Sequence, residues 1–311
     1  MQSHSLTQKK LTKRQAYNSN LNRKFYESDP NIGSSNELSI TQYGFEANKI
    51  VNPTRYYLLY KSQLQIIKNF IPYSESKRIL DVGCGDGTIL KYVKVFNSYT
   101  GVDISSTRIK RCKKKFNSPK INFIKYDIVL SFPFKNNIFD VVIASEIIEH
   151  VPDPIFFLQE CKRVLKKDGV LILSTPISRR YIEQTDKLYN EQHLYIYSLK
   201  QLIFEIQKNG FKIKKMKGIG FHFYKIILSA KNPILRLVFY VLKLRKPKMT
   251  QYERCLNIST LDNPKLNQEY HRAKKNIFKK IKWFIKLYML NLLGKIAPKF
   301  SEQVVVQAIK I

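Results

Sequence analysis

The chain has 311 residues, 44% of them hydrophobic, enough for one well-filled core with attachments and too few for two full domains. Lysine and arginine number 55 against 23 acids, a formal net charge of +32 that favours anionic partners without choosing between a membrane surface and nucleic acid. Four scattered cysteines, Cys84, Cys112, Cys161 and Cys255, lack paired metal spacing, which excludes a disulfide scaffold or zinc module as the organising device and makes a reducing cytoplasm the expectation.

Residues 1–45 are polar and poor in aliphatics, and they read as a flexible amino-terminal arm. No apolar run of signal-peptide length opens the chain, and no uncharged stretch of membrane-spanning length follows. Residues 46–220 carry the periodic signals of a core. Arg55 through Ile71 has Leu58, Leu59, Leu64, Ile66, Ile67 and Phe70 at helical spacing, which suits either core packing or a roof over a ligand.

A short apolar strand, Arg78-Ile79-Leu80-Asp81-Val82, then runs into Gly83-Cys84-Gly85-Asp86-Gly87 and a helical pattern. Glycines at such a turn accept backbone angles closed to other residues, so a nucleotide can lie against the main chain. The third glycine falls one place too early for the dinucleotide fingerprint, and Thr88 stands where that fingerprint needs glycine. Further strands are predicted at Tyr99–Ile104, Ile121–Asp127, Phe139–Ser145 and from Val170, with a helix over Asp153–Lys166. Ser198 caps a helix through Lys208, Gly210 ends it, and Phe211–Met216 is a sixth strand. Alternation of this kind builds a doubly wound parallel sheet with helices on both faces and a ligand at the carboxyl ends of its strands.

Residues 221–300 then interrupt the pattern with eighteen lysines and arginines against three acids. Ile277, Ile281, Phe284, Ile285, Tyr288, Met289 and Leu292 share one helical face, while Lys275, Lys279, Lys282 and Lys286 mark another, with Trp283 at the edge. A basic amphipathic helix with an aromatic flank has the make-up of an interfacial membrane helix. A cap on the sheet, a dimer face and a nucleic-acid surface stay open for the same residues. The last segment, 301–311, holds the β-branched run Gln303–Lys310 of a final strand.

Asp81 followed by Gly83, Gly85 and Gly87 resembles the first motif of class I S-adenosylmethionine-dependent methyltransferases, in particular the ubiquinone-pathway O-methyltransferases. The resemblance covers residues 50–220 and the last ten. It implies an α/β, Rossmann-like fold: a seven-stranded, mostly parallel sheet with an antiparallel last strand. It also implies that Asp81, Gly83, Cys84, Gly85 and Gly87 cradle the cofactor. Asp103, with Ile104 beside it, closes the second strand at a spacing suited to the ribose hydroxyls. Asp127 and Ile128 take the adenine position, and Ser145 ends the fourth strand beside the donor.

The catalytic question centres on Glu146-Ile147-Ile148-Glu149-His150. If this segment turns helically, Glu146 and Glu149 share a face with His150 nearby, a donor set suited to Mg²⁺ or Mn²⁺. It resembles the metal-associated Glu-x-x-Glu-His of ubiquinone-pathway enzymes and of small-RNA 2′-O-methyltransferases, and His193 falls where the latter have a further ligand. Without metal, His150 serves as general base for a hydroxyl, or is a helix-start residue bonded to backbone. The expectation is O-methylation of a lipid-like, quinone-type or glycan-lipid hydroxyl at a membrane surface. RNA 2′-O-methylation and a non-enzymatic peripheral-membrane protein with a degenerate nucleotide fold are the alternatives.

Overall fold

The computed structural model describes residues 55–93, 96–178, 182–183, 193–220, 292–293, 295–296, 298, 301 and 303–311. The expectations for the amino-terminal arm and for nearly all of 221–300 lie outside the described residues. Helix α1 spans Arg55–Phe70 and leads into β1 (Arg78–Val82). A 3₁₀ turn at Ile89–Tyr92 follows, then β2 (Ser98–Asp103), α2 (Ser106–Lys115), β3 (Ile121–Lys125) and β4 (Phe139–Ser145). The chain continues through α3 (Pro154–Val164), β5 (Leu165–Ser178), β6 (Ile182–Glu183), β7 (Tyr195–Ser198) and α4 (Leu199–Lys208). Strands β8 (Phe211–Ile219) and β9 (Gln303–Lys310) close it.

The parallel strands lie in the order β3-β2-β1-β4-β5, so the chain moves outward from β1 to β3 and then returns to β4 on the other side of β1. This reversal opens a crevice between the loops after β1 and β4, where a doubly wound sheet takes its ligand. Beyond β5 the sheet turns antiparallel. The body of β5 pairs with β9 from Val170↔Ile309 to Pro176↔Gln303, and β8 pairs with the far side of β9. Lys212, Lys214, Lys215 and Lys217 are exposed along β8, a charge pattern that discourages edge-to-edge association.

The sheet buries both faces, which is why β1 and β4 read as nearly continuous apolar runs. One face packs Leu80, Val142 and Leu171 against Phe157, Leu158 and Cys161 of α3 and Leu202 and Ile206 of α4. The other packs Ile79, Val141 and Ile172 against Leu64, Ile67 and Phe70 of α1 and Ile109 of α2. Local chemistry sets the helix starts. Asp153 accepts from the backbone N–H groups of Ile155 and Phe156 ahead of Pro154, and Ser198 accepts from that of Gln201.

Two features differ from the sequence expectation. The glycine turn leads into the four-residue 3₁₀ segment rather than an α-helix. Among the described residues the sheet has nine strands instead of seven, because the short ribbon of β6 and β7 pairs with the tip of β5 at Ile177↔Tyr197 and Ser178↔Ser198. Strands of two and four residues leave no periodicity to read.

The loop from β3 to β4 is fixed by one side chain. Arg163 donates to the carbonyls of Phe132 and Phe134, to Asn136 Oδ1 and to both carboxylate oxygens of Glu160, which also accepts from the Phe132 backbone N–H and the Ser131 hydroxyl. Arg163→Ala is expected to destabilise the fold by about 3 kcal/mol, because it strands a buried carboxylate and two carbonyls. Equilibrium denaturation measures this. These bonds hold the Glu160 carboxyl below its ordinary range against the opposing effect of burial. That stabilisation is present above the ordinary carboxylate range and lost as pH falls through the folded value, a loss the variant does not share.

Candidate functional site

The glycine turn lies at the carboxyl end of β1, anchored where the backbone N–H groups of Gly83 and Cys84 donate to the Val102 carbonyl. Gly83, Gly85 and Gly87 all have positive φ, at 71°, 53° and 67°. The first two have different surroundings. A Cβ on Gly83 would fall 2.1 Å from Ile147 Cδ1, so the loop after β4 rests directly on the glycine turn. A Cβ on Gly85 would meet only Arg108 Nη1, at 4.0 Å, so that glycine faces open space.

Asp103 ties β2 to this turn. Its Oδ2 accepts from the Gly85 backbone N–H at 2.9 Å, its Oδ1 from that of Ser105 at 2.9 Å, and Arg108 Nη1 lies 3.8 Å away. Each carboxylate oxygen keeps a second lone pair for a hydroxyl donor. Asp127 follows β3, where its Oδ1 accepts from the Val129 backbone N–H at 3.2 Å, and the neighbouring Tyr126 N–H donates to the Asp103 carbonyl. Ile104 and Ile128 are half-buried beside the two acids. Cys84 is buried, and both its thiol and that of Cys112 donate to the Gly85 carbonyl. The contact with Cys112 and burial push the Cys84 thiol well up, so it stays protonated.

Asp81 is 1% exposed. The Tyr99 hydroxyl donates to its Oδ2, while its Oδ1 is buried without a hydrogen-bond partner. Burial pushes its carboxyl up to about 7, with the Tyr99 bond acting in the opposite direction. An orphaned acceptor two residues before a glycine-rich turn fits a cationic, hydroxyl-bearing nucleotide such as S-adenosylmethionine.

The segment after β4 does not turn as a helix from Glu146. That residue has φ 54°, a strained left-handed conformation for a non-glycine residue, and a turn follows in which the His150 N–H donates to the Ile147 carbonyl. Glu146 therefore points into its own network. Its Oε1 accepts from Gln63 Nε2 at 2.7 Å and Ser174 Oγ at 3.0 Å, and its Oε2 from Gln303 Nε2 at 3.1 Å. Ser145 joins this network through Ser174, 3.0 Å between hydroxyls, rather than the glycine turn. Desolvation raises the Glu146 carboxyl to about 7 against the lowering effect of the Ser174 and Gln63 bonds.

The structure brings three of the four expected metal residues together. Glu149, His150 and His193 offer donor atoms within 4.8 Å of one another, and Glu146 is not among them. His193 reaches the group because the N–H groups of Leu194 and Tyr195 donate to the Glu149 carbonyl and the Tyr195 hydroxyl to that of Pro152. The two imidazoles meet edge to face at 4.8 Å. Glu149 is fully buried; its Oε2 accepts from Thr175 Oγ1, and its Oε1 has no hydrogen-bond partner, with His150 Nε2 at 3.9 Å. Burial and the neighbouring Glu146 hold the Glu149 carboxyl well above its ordinary range. Desolvation and His150 push His193 down to about 3, leaving it a neutral ligand or acceptor.

Sequence reasoning missed Tyr99, Arg108, Gln63, Ser174, Thr175 and Gln303. Gln63 left a signal: it is 2% exposed on the face of α1 that buries Leu64 and Ile67, where a polar residue needs a partner.

Residues 80–173 match a family model described as a methyltransferase domain. The chain is 28% identical over 180 residues to phosphoethanolamine N-methyltransferase 2 of Caenorhabditis elegans, covering 56% of this chain and 41% of that protein. It is 30% identical over 120 residues to the ubiquinone biosynthesis O-methyltransferase of Glaesserella parasuis, covering 36% and 48%. An uncharacterised protein of Methanocaldococcus jannaschii is 30% identical over 162 residues, covering 50% of this chain and 73% of that one. The chain spans about half the length of the first two of these curated relatives. It belongs to the class I S-adenosylmethionine-dependent methyltransferases.

Proposed function

We propose that this protein transfers a methyl group from S-adenosylmethionine to a hydroxyl oxygen of a lipid-like acceptor, a quinone precursor or a glycan-lipid. The observation that supports the reading is the packing of Ile147 on Gly83, two residues before Glu149 in the segment that carries Glu149 and His150. The reactive methyl of the sulfonium already carries the driving force. What the chain supplies is alignment of the acceptor oxygen and a place for its proton. In this reading His150 takes that proton, Glu149 orients it, and His193, held neutral, leaves room for a donor hydroxyl.

An oxygen and two imidazoles also suit a divalent cation such as Mg²⁺ or Mn²⁺, and the orphaned Glu149 Oε1 fits one. Bound there, it would lower the hydroxyl's pKa. The relatives' names support a choice between O- and N-transfer rather than a substrate. An ammonium acceptor must also lose a proton before it can take the methyl, so the cluster suits either atom, and the choice of oxygen follows the sequence resemblance. Among the described residues no helix is long and apolar enough to cross a membrane. Contact with an anionic membrane is proposed for residues 221–300 on their sequence alone.

Calorimetry with S-adenosylmethionine is the first test, and saturable one-to-one binding is expected. The second is transfer of labelled methyl to a panel of hydroxylated quinone precursors and glycan-lipids, set against an amine and a 3′-terminal RNA. Vesicles containing phosphatidylglycerol should sediment the full chain and not one lacking residues 221–300. Labelling of the amine or RNA alone would replace the acceptor class.

A further inference from the structure

Asp81 is sealed between β1's neighbours: its register partners are Gly101 on β2 and Ile143 on β4, neither of which offers it a side-chain donor. The titratable groups that face it are Tyr99 and Asp103 from β2, Cys84 from the glycine turn and Tyr60 from α1. All four are neutral or anionic. Among the described residues no lysine, arginine or histidine pairs with it. A carboxylate with one satisfied oxygen and one orphaned oxygen in such a place is costly when charged.

Tyr99 is the device that makes the group usable. Its hydroxyl, buried at 0% exposure and held protonated by desolvation and by Asp81 itself, keeps a hydrogen to donate. Donation to Oδ2 favours the ionised form of Asp81 and fixes which oxygen stays open. The ring is locked by an edge contact with Phe123 and a tilted one with Phe96, so the hydroxyl cannot follow a moving partner.

We propose that Tyr99 is a positioning residue of the cofactor site, holding Asp81 with its second oxygen free for a cationic group of the cofactor, and that cofactor uptake is coupled to release of one proton from Asp81. The inference rests on the reading that S-adenosylmethionine binds at this turn. The proton leaves the carboxyl oxygen for solvent, and the cofactor's positive charge replaces it, so charge at the site balances. Protonation of Asp81 competes with the cofactor, and affinity rises with pH up to the group's own midpoint.

The test is calorimetry of the full chain with S-adenosylmethionine and, separately, S-adenosylhomocysteine, from pH 5.5 to 7.0, each in two buffers of different ionisation enthalpy. The window stays below the titration of the ligand's own amino group. For the wild type, affinity should rise toward tenfold per pH unit at the acid end, with about one proton released per molecule bound at pH 6. Tyr99→Phe should move the midpoint to higher pH, so that at pH 7.0, where wild-type release falls to about half a proton, the variant still releases close to one. Asp81→Asn should bind with pH-independent affinity and release no proton.

A merely structural Tyr99 would instead weaken binding and leave the proton count at pH 7.0 at its wild-type value, and that result overturns its assignment. Wild-type binding that neither varies across the window nor releases a proton overturns the coupling while leaving the cofactor site intact. Absence of binding at any pH defeats the cofactor reading itself, and this inference with it. Proton release with both ligands assigns the cation as the ammonium; release with S-adenosylmethionine alone assigns the sulfonium.

Discussion

Gly85→Arg is expected to weaken S-adenosylmethionine binding by more than about a hundredfold, roughly 2.7 kcal/mol, while the protein stays folded. The two halves of that outcome come from the same geometry. A Cβ at Gly85 meets nothing within 4 Å except Arg108 Nη1 at the limit, so the fold has room for a side chain there. The space it would fill lies beside the Asp103 carboxylate, at the carboxyl ends of β1 and β2. A non-glycine residue at φ 53° costs about 1–2 kcal/mol, a modest loss of melting temperature. The new cation would also sit beside Arg108, which shares Asp103 with the turn. Gly83→Ala is the contrasting case. Its methyl would strike Ile147 Cδ1 and push the segment that carries Glu146, Glu149 and His150, so melting temperature and binding should fall together. Calorimetry and thermal denaturation on both variants separate occupancy of the crevice from damage to its walls. Wild-type affinity in Gly85→Arg would place the cofactor elsewhere.

The legible parts of this molecule are those that local physics dictates. Strands buried on both faces must be apolar along their length, so Phe139–Ser145 and Gln303–Lys310 stand where the sequence pattern puts them. The glycine turn and Asp103 were legible for the same reason: positive φ and a strand-end carboxylate are properties of a few consecutive residues. Partners that meet only after folding were not. Gln63 and Gln303 reach Glu146 across 83 and 157 positions, and no periodicity encodes that meeting. Glu146 shows the opposite failure. A three-residue spacing implies a shared helical face only if the backbone is helical, and the left-handed conformation at Glu146 separates it from Glu149. His193 was placed through resemblance, and the physical reason it arrives is the pair of backbone bonds that staple Leu194 and Tyr195 to the Glu149 carbonyl.

Glu149→Ala is expected to lower methyl transfer by about 10²–10⁴-fold without lowering the melting temperature. Glu149 is a poor residue for stability. It is fully buried, and among the described residues one of its oxygens has no hydrogen-bond partner while the other is served by the Thr175 hydroxyl. Replacing such a group removes a desolvation cost that outweighs one lost hydrogen bond, so the variant should melt at the wild-type temperature or above it. A residue kept against stability is one kept for chemistry. The variant also decides the metal. If a divalent cation joins Glu149, His150 and His193, EDTA should abolish wild-type turnover, added Mg²⁺ or Mn²⁺ should restore it, and the residual activity of Glu149→Ala should ignore both. Metal affinity should then fall as pH drops, because the ion needs Glu149 ionised and burial holds that carboxyl well above its ordinary range. Wild-type turnover indifferent to EDTA leaves His150 as a base oriented by the carboxylate alone. His193→Ala then distinguishes the remaining roles, since a ligand's loss would be recovered by excess metal and the loss of a neutral acceptor for the substrate hydroxyl would appear in KM.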